Sequence, residues 1–257
     1  MQFSILKTII FRFLLGIGLL LLTWWLASLA VTPLLPTPRA VAAAAKGLFL
    51  SGQLTTDLKI SLFRVSLGVV IASLAAFFLF SIGEFFNFII DPMLGLVDLL
   101  RPIPPIAWIP LAIMLFGIGE KPAVAIVAFG AFFPVWLGLV YGLSQRNIAH
   151  VLAAQSLGAS RWQLFFDVTF PSVLPHGLHG LRLGIGIGWF SVVAAEMMGA
   201  SSGLGYGIQL FSLNIEMEKF YVYLISISLC GLGLNALANI IENVASPHAR
   251  QRTRKRN

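Results

Sequence analysis

The chain has 257 residues, 58% of them hydrophobic, and only 10 acidic and 17 basic side chains. Its charged fraction of 11% is under half the ~25% usual for a soluble domain, and its mean hydropathy is +0.91, which excludes a disordered chain and argues against a cytosolic enzyme. The net charge of +7 is concentrated at one end: Arg250, Arg252, Arg254, Lys255 and Arg256 lie in the last eight residues, and without them the balance is 12 against 10. The body is nearly neutral, so no nucleic-acid partner is expected.

A bilayer core takes about 20 helical residues to cross. Residues 13–38 carry no charge, and 13–31 are strongly apolar. That apolar stretch exceeds the 7–15 residues typical of a signal-peptide core, so it reads as an uncleaved helix, with Trp24 and Trp25 suited to an interfacial belt. Residues 34–57 follow as an external linker. Pro33, Pro36 and Pro38 stop regular helix, and 39–49 should form a short interfacial helix. Residues 65–83 make the second span.

The third apolar run, 102–119, contains Pro102, Pro104, Pro105 and Pro110. Backbone that loses hydrogen bonds is tolerated in lipid only where protein or a wet cavity covers it. Residues 101–110 should therefore face the interior of a bundle. Arg101, Pro104, Pro105 and Trp108 become candidates for a pathway or gate, since broken helices recur at transporter sites. A kink made for packing is the plainer reading. Residues 122–145 form the fourth span.

Residues 144–177 are too polar to span and too long for a turn. A helix over 148–157 should end at Gly158. A second helix should start at Ser160, where Gln163 completes a capping box, with Trp162, Phe165 and Phe166 on adjacent faces. Pro171 and Pro175 should close the segment. The small residues Ala153, Ala154, Gly158 and Ala159 at the bend allow another surface to approach closely.

Residues 178–200 form a fifth candidate span, with Arg182 and Glu196 near its ends. Gly180, Gly184 and Gly188 share one helix face, as packing stripes do. Glu196 either gates a pathway, as intramembrane acids often do, or sits at the outer interface bonded to backbone N–H groups of the 201–207 turn. A short external helix follows, then a sixth span over 220–241. The single cysteine, Cys230, packs as a small apolar residue and cannot form an internal disulfide. Lys and Arg placement favours both termini inside, with 246–257 as a basic cytoplasmic tail that can touch anionic lipid headgroups.

Read from Leu152, the pattern L-A-A-x3-G-x9-V-T-F-P is similar to the E-A-A-x3-G-x9-I-x-L-P motif of ABC importer permeases. Ala153, Ala154, Gly158 and Pro171 match, while Leu152 stands where the family has Glu. The segments LLPTP (34–38), RPIPPIAWIPLAIMLFGIGE (101–120), QSLGASRWQLF (155–165) and AAEMMGASSGLGYGI (194–208) resemble the nitrate, sulfonate and taurine branch, which also includes bicarbonate importers.

The resemblance implies an all-α integral membrane protein of about six spans, like type I ABC importer permeases, in a bacterial inner membrane. The permease core would cover 58–245, after an N-terminal helix over 1–33. Its 146–171 loop would dock on an ATP-hydrolysing subunit through Leu152, Ala153, Ala154, Gly158, Ala159, Trp162 and Pro171. The implied partners are a second copy of the permease, two ATP-binding subunits and an external substrate-binding protein. ATP and magnesium would sit on the ATPase, with no cofactor, metal or catalytic residue in this chain; indeed it has no G-x-x-x-x-G-K-[ST] loop. The competing readings are a membrane-embedded transferase using His150, His176, His179 or Asp167, and a passive channel, which would have no use for the inner loop.

Overall fold

The computed structural model describes residues 2–31, 34–86 and 90–245. The basic tail and Pro33 lie outside them. Among the described residues every regular element is helical. Helix α1 (Gln2–Ala30) is joined to α2 (Pro38–Leu50), which occupies the expected linker position. Thr37 caps α2 by accepting the Ala40 N–H, and Pro38 begins it, where a missing N–H costs nothing. The long α3 (Gln53–Phe85) follows.

The third span departs from expectation. Helix α4 (Ile90–Leu100) and α5 (Ile109–Phe116) are joined through a 3-10 turn over Pro105–Trp108, and the pair bends by 89°. The prolines explain this. They remove donors along 102–110, so no straight helix can run from 102 to 119.

Helix α6 (Glu120–Ser144) is the central post, packed against α3 on one side and α9 (Phe170–Gly199) on the other. Between them lie α7 (Ile148–Ser156), the single turn α8 (Arg161–Gln163) and a π-helical segment, Leu164–Thr169. The expected stop at Pro171 and Pro175 is absent. Pro171 falls in the first turn of α9, where its donor is dispensable, and Pro175 is carried inside the helix. The result is one continuous span over Arg161–Gly199 of 39 residues. Helices α10 (Leu204–Leu213) and α11 (Met217–Ala245) complete the chain.

The α6–α9 seam is built on small residues. A Cβ on Gly180 would fall on the Pro134 carbonyl; one on Gly184 would lie 3.1 Å from the Ala131 oxygen, and one on Gly188 3.1 Å from Val127. Gly138 and Gly142 answer from α6 against His176, Gly180 and Val173. The backbones thus approach to a distance that side chains forbid, which is how helices pack in lipid, where burial alone drives little association. Bulkier groups fill the space on either side: Val65, Val69, Val127 and Trp189 in one cluster, and Phe80, Val97, Trp136 and Phe165 in another.

Candidate functional site

Three places on this scaffold bring polar or exposed groups together. The first is the loop at the inner end. Asn147 caps α7 by accepting the Ala149 N–H at 2.9 Å. Gly158 ends it at φ +80°, the left-handed conformation that side chains resist. Ser160 and Gln163 complete the capping box, the Gln163 N–H donating to Ser160 Oγ at 3.3 Å and Ser160 N–H to Gln163 Oε1 at 2.8 Å. Two short helices are thereby fixed at a sharp corner.

That corner presents apolar side chains outward. Leu152 is 56% exposed, Leu157 89% and Trp162 62%. Ala153, Gly158 and Pro171 are exposed beside them, and Ala154 and Ala159 are half-buried. Trp162 stacks on Phe166 and packs at 4.5 Å against Phe85, so its ring is held rather than free. Such a patch on a short loop is a candidate interaction surface.

The second place is the bent segment. Ile109 is buried, and Trp108 packs on Phe129 at 5.1 Å. Pro105 lies over Gly130, where a Cβ would meet it at 3.1 Å. Arg101, Pro104 and Ile106 are exposed, as are Met114 (82%) and Ile118 (81%). The expectation that 101–110 points into the bundle therefore fails for a single chain. Arg101 lines a cavity of about 140 Å³ with Ile103, Pro105, Phe133, Pro134 and Ile187. These α6 residues stand near the middle of their helix, so the cavity sits at mid-span.

The third is a buried network at the outer end, which the sequence reading did not assemble. Arg64 is fully buried and joins α3 to α6, to α9 and to the turn before α10. Its Nη2 donates to Glu120 Oε1 at 2.7 Å, and its Nη1 to Glu196 Oε1 and the Ser202 carbonyl, both at 2.7 Å. Glu196 also accepts from Ser61 Oγ at 2.8 Å and from the Gly205 N–H at 2.9 Å. Asp57 accepts from the Gly203 N–H at 2.8 Å and from Tyr223 Oη at 2.6 Å. Three successive N–H groups at the start of α10 are thus satisfied by side chains of α3 and α9, Leu204 donating to Ser61 Oγ at 2.8 Å. That is a helix N-terminus capped from outside its own segment.

Glu196 does bond to the turn, as one reading held, but it is fully buried rather than interfacial. The signal that could have found the network was present: Asp57, Ser61 and Arg64 recur at helical spacing on one face of α3.

The histidines do not form a constellation. His176 packs edge-on against Tyr141 at 5.2 Å, His179 bonds Glu242 at 3.2 Å, and His150 and Asp167 are exposed on the loop. Among the described residues no group of His, Cys, Asp and Glu could hold a metal.

Residues 68–251 match the family model for the "binding-protein-dependent transport system inner membrane component". The taurine transport system permease protein TauC of Escherichia coli (strain K12) is 35% identical over 237 residues, covering 86% of this chain and 85% of TauC. The putative aliphatic sulfonates transport permease protein SsuC of Bacillus subtilis (strain 168) is 32% identical over 211 residues, 81% of this chain and 75% of SsuC. Among solved structures, the inward-facing MetNI methionine ABC transporter shares the fold, with a TM-score of 0.59 at 16% identity over 76% of this chain and 95% of that one.

Proposed function

The chain belongs to the inner membrane components of binding-protein-dependent transport systems, and we propose that it is the subunit through which a small oxyanion, a sulfonate in the first instance, crosses the membrane. The substrate class comes from the taurine and aliphatic-sulfonate permeases it is similar to. The observation that carries the transport reading is the rigid apolar corner at the inner end, with Leu157 and Trp162 outward. A passive channel has no use for it, and a transferase built on the scattered histidines has no site.

In this reading Leu152, Ala153, Ala154, Gly158, Ala159 and Trp162 seat in a partner ATPase, where ATP and magnesium are held. The exposed face of Arg101, Pro104, Ile106 and Met114 meets a second copy, and the pathway runs between the two. An external binding protein delivers the solute. ATP-driven closure moves the loops and shifts the bundle between two states, each stabilised by its own contacts.

The test is a charge placed on the corner. Leu157→Asp in the assembled transporter should cut binding-protein-stimulated ATP hydrolysis and uptake at least tenfold, while the permease still inserts and purifies. Undiminished uptake by Leu157→Asp and by a bulky Ala154→Trp together would rule out docking through this loop.

A further inference from the structure

At the inner end, between the docking loop and the bundle, lies a cavity of about 260 Å³ lined chiefly by Glu84, Phe85, Arg146, Gln155, Arg161 and Thr169. Its walls come from α3, from the turn after α6, from α7 and α8 and from the π-helical segment. Arg146 donates through Nη1 to Glu84 and, at 3.3 Å, to Thr169 Oγ1, which is buried. The Arg146 Nε and Nη2 groups have no acceptor among the described residues. Arg161 makes one long contact, 3.5 Å from Nη1 to the Phe85 carbonyl. A guanidinium carries five N–H donors in a planar fork that matches an oxyanion. Both arginines therefore bring unused donors to the same cavity. Glu84 is engaged by Arg146, which leaves the lining with one positive charge in excess.

We propose that this cavity binds the oxyanion group of a small molecule, a sulfonate or a phosphate, between Arg146 and Arg161. The polar floor is already ordered by the Glu84–Arg146–Thr169 contacts, so binding need not organise it. The volume holds more than a bare ion, and the Phe85 and Phe165 rings give an organic portion an apolar wall. Occupation has a mechanical consequence. Helix α7 packs on the π-helical segment, and a ligand bridging Arg161 to Arg146 ties the loop to the ends of α3 and α6. A bound oxyanion thus braces the loop and slows its movement. That consequence rests on the docking reading above; the binding does not.

The full chain, purified in detergent, is titrated with sodium sulfate, ethanesulfonate and inorganic phosphate against sodium chloride at equal ionic strength, by calorimetry and thermal unfolding. At least one oxyanion binds saturably where chloride does not. Arg161→Gln weakens it tenfold or more, and Arg161→Lys restores part of the loss. Chloride-like behaviour of all three ions, in the absence of a lipid effect, or binding unchanged in Arg161→Gln, overturns the site.

A second arm compares nanodiscs of phosphatidylcholine with and without phosphatidylglycerol. Stabilisation by the anionic lipid that Arg161→Gln abolishes, with free oxyanions inert, makes the headgroup the source and upholds the site. Stabilisation equal in Arg161→Gln counts against it. In the assembled transporter the saturating ligand lowers ATP hydrolysis at least twofold; binding without that effect overturns the brace alone. A chain that binds the oxyanion yet never assembles with an ATPase overturns the docking reading and leaves the site standing.

Discussion

Arg64 is the residue on which the outer end depends. Its guanidinium meets Glu196 and the Ser202 carbonyl inside the bundle and Glu120 at its solvent-facing edge. Removing one member of a buried pair strands the other, at about 3–5 kcal/mol. Arg64→Gln should therefore lower the unfolding temperature of the purified protein sharply. The double variant Arg64→Gln with Glu196→Gln should recover much of the loss, because no buried charge is then left alone; a double variant as unstable as the two singles summed would show that the pair is not coupled. Gly203 offers a second test at this scale. Its φ is +107°, and a Cβ there would meet the Glu196 carboxylate. Gly203→Ala should cost roughly 1–3 kcal/mol from backbone strain alone, read as the same thermal shift. Little of this network was legible in the sequence. Charges near span ends read singly as interfacial, and only the long-range meeting of α3, α6 and α9 makes them one cluster.

Helices and their seams were far more legible, because apolar length and small-residue spacing are local properties. The glycine stripe on α9 was readable as a packing face, though not that α6 answers it with Gly138 and Gly142. Gly180→Leu should split the seam and prevent stable folding, since its neighbour is backbone that cannot move aside. Gly186, on the same helix with nothing within 4 Å, is the control. Gly186→Ala should stay within ~1 kcal/mol of the parent, the scale of helix propensity. Equal damage from both would mean that flexibility, not close approach, is what the stripe supplies. What misled the reading of elements was proline. Four prolines broke the run at 102–110, as expected of them, yet Pro171 and Pro175 were absorbed into α9. For Pro171 the difference is position, since the π-helical segment ahead of it already changes the hydrogen-bond register; Pro175 sits inside the helix, as Pro134 does in α6, at the loss of one backbone bond.

Over the whole molecule, the positive-inside bias places the loop around α7 and α8 on the cytoplasmic side and α2 and α10 outside. A reporter fused after residue 245 should be active only as a cytoplasmic fusion, and one inserted in the α2 linker only as an external one; the reverse pattern would invert every functional assignment made above. The ion pairs sort by end. The Arg64 cluster welds α3, α6, α9 and α10 at the outer end. Toward the inner end Glu84–Arg146 joins α3 to the turn after α6, and Arg182–Glu242 joins α9 to α11. The exposed face bearing Arg101 and Met114 is tied by none of these.

The Arg64 cluster also bears on how the protein is made. Its two carboxylates lie 56 and 132 residues further along the chain. During synthesis the guanidinium reaches the membrane first and must wait for Glu120 to match its charge, then for Glu196 to complete its buried hydrogen bonds. A nascent chain halted before α6 carries an unmatched cation in its second span, and one halted between Glu120 and Glu196 leaves the buried side of the guanidinium without its acceptor. Such truncated products should be retained at the insertion machinery or degraded, and the arrival of α9 should mark the point at which the bundle becomes resistant to membrane proteases.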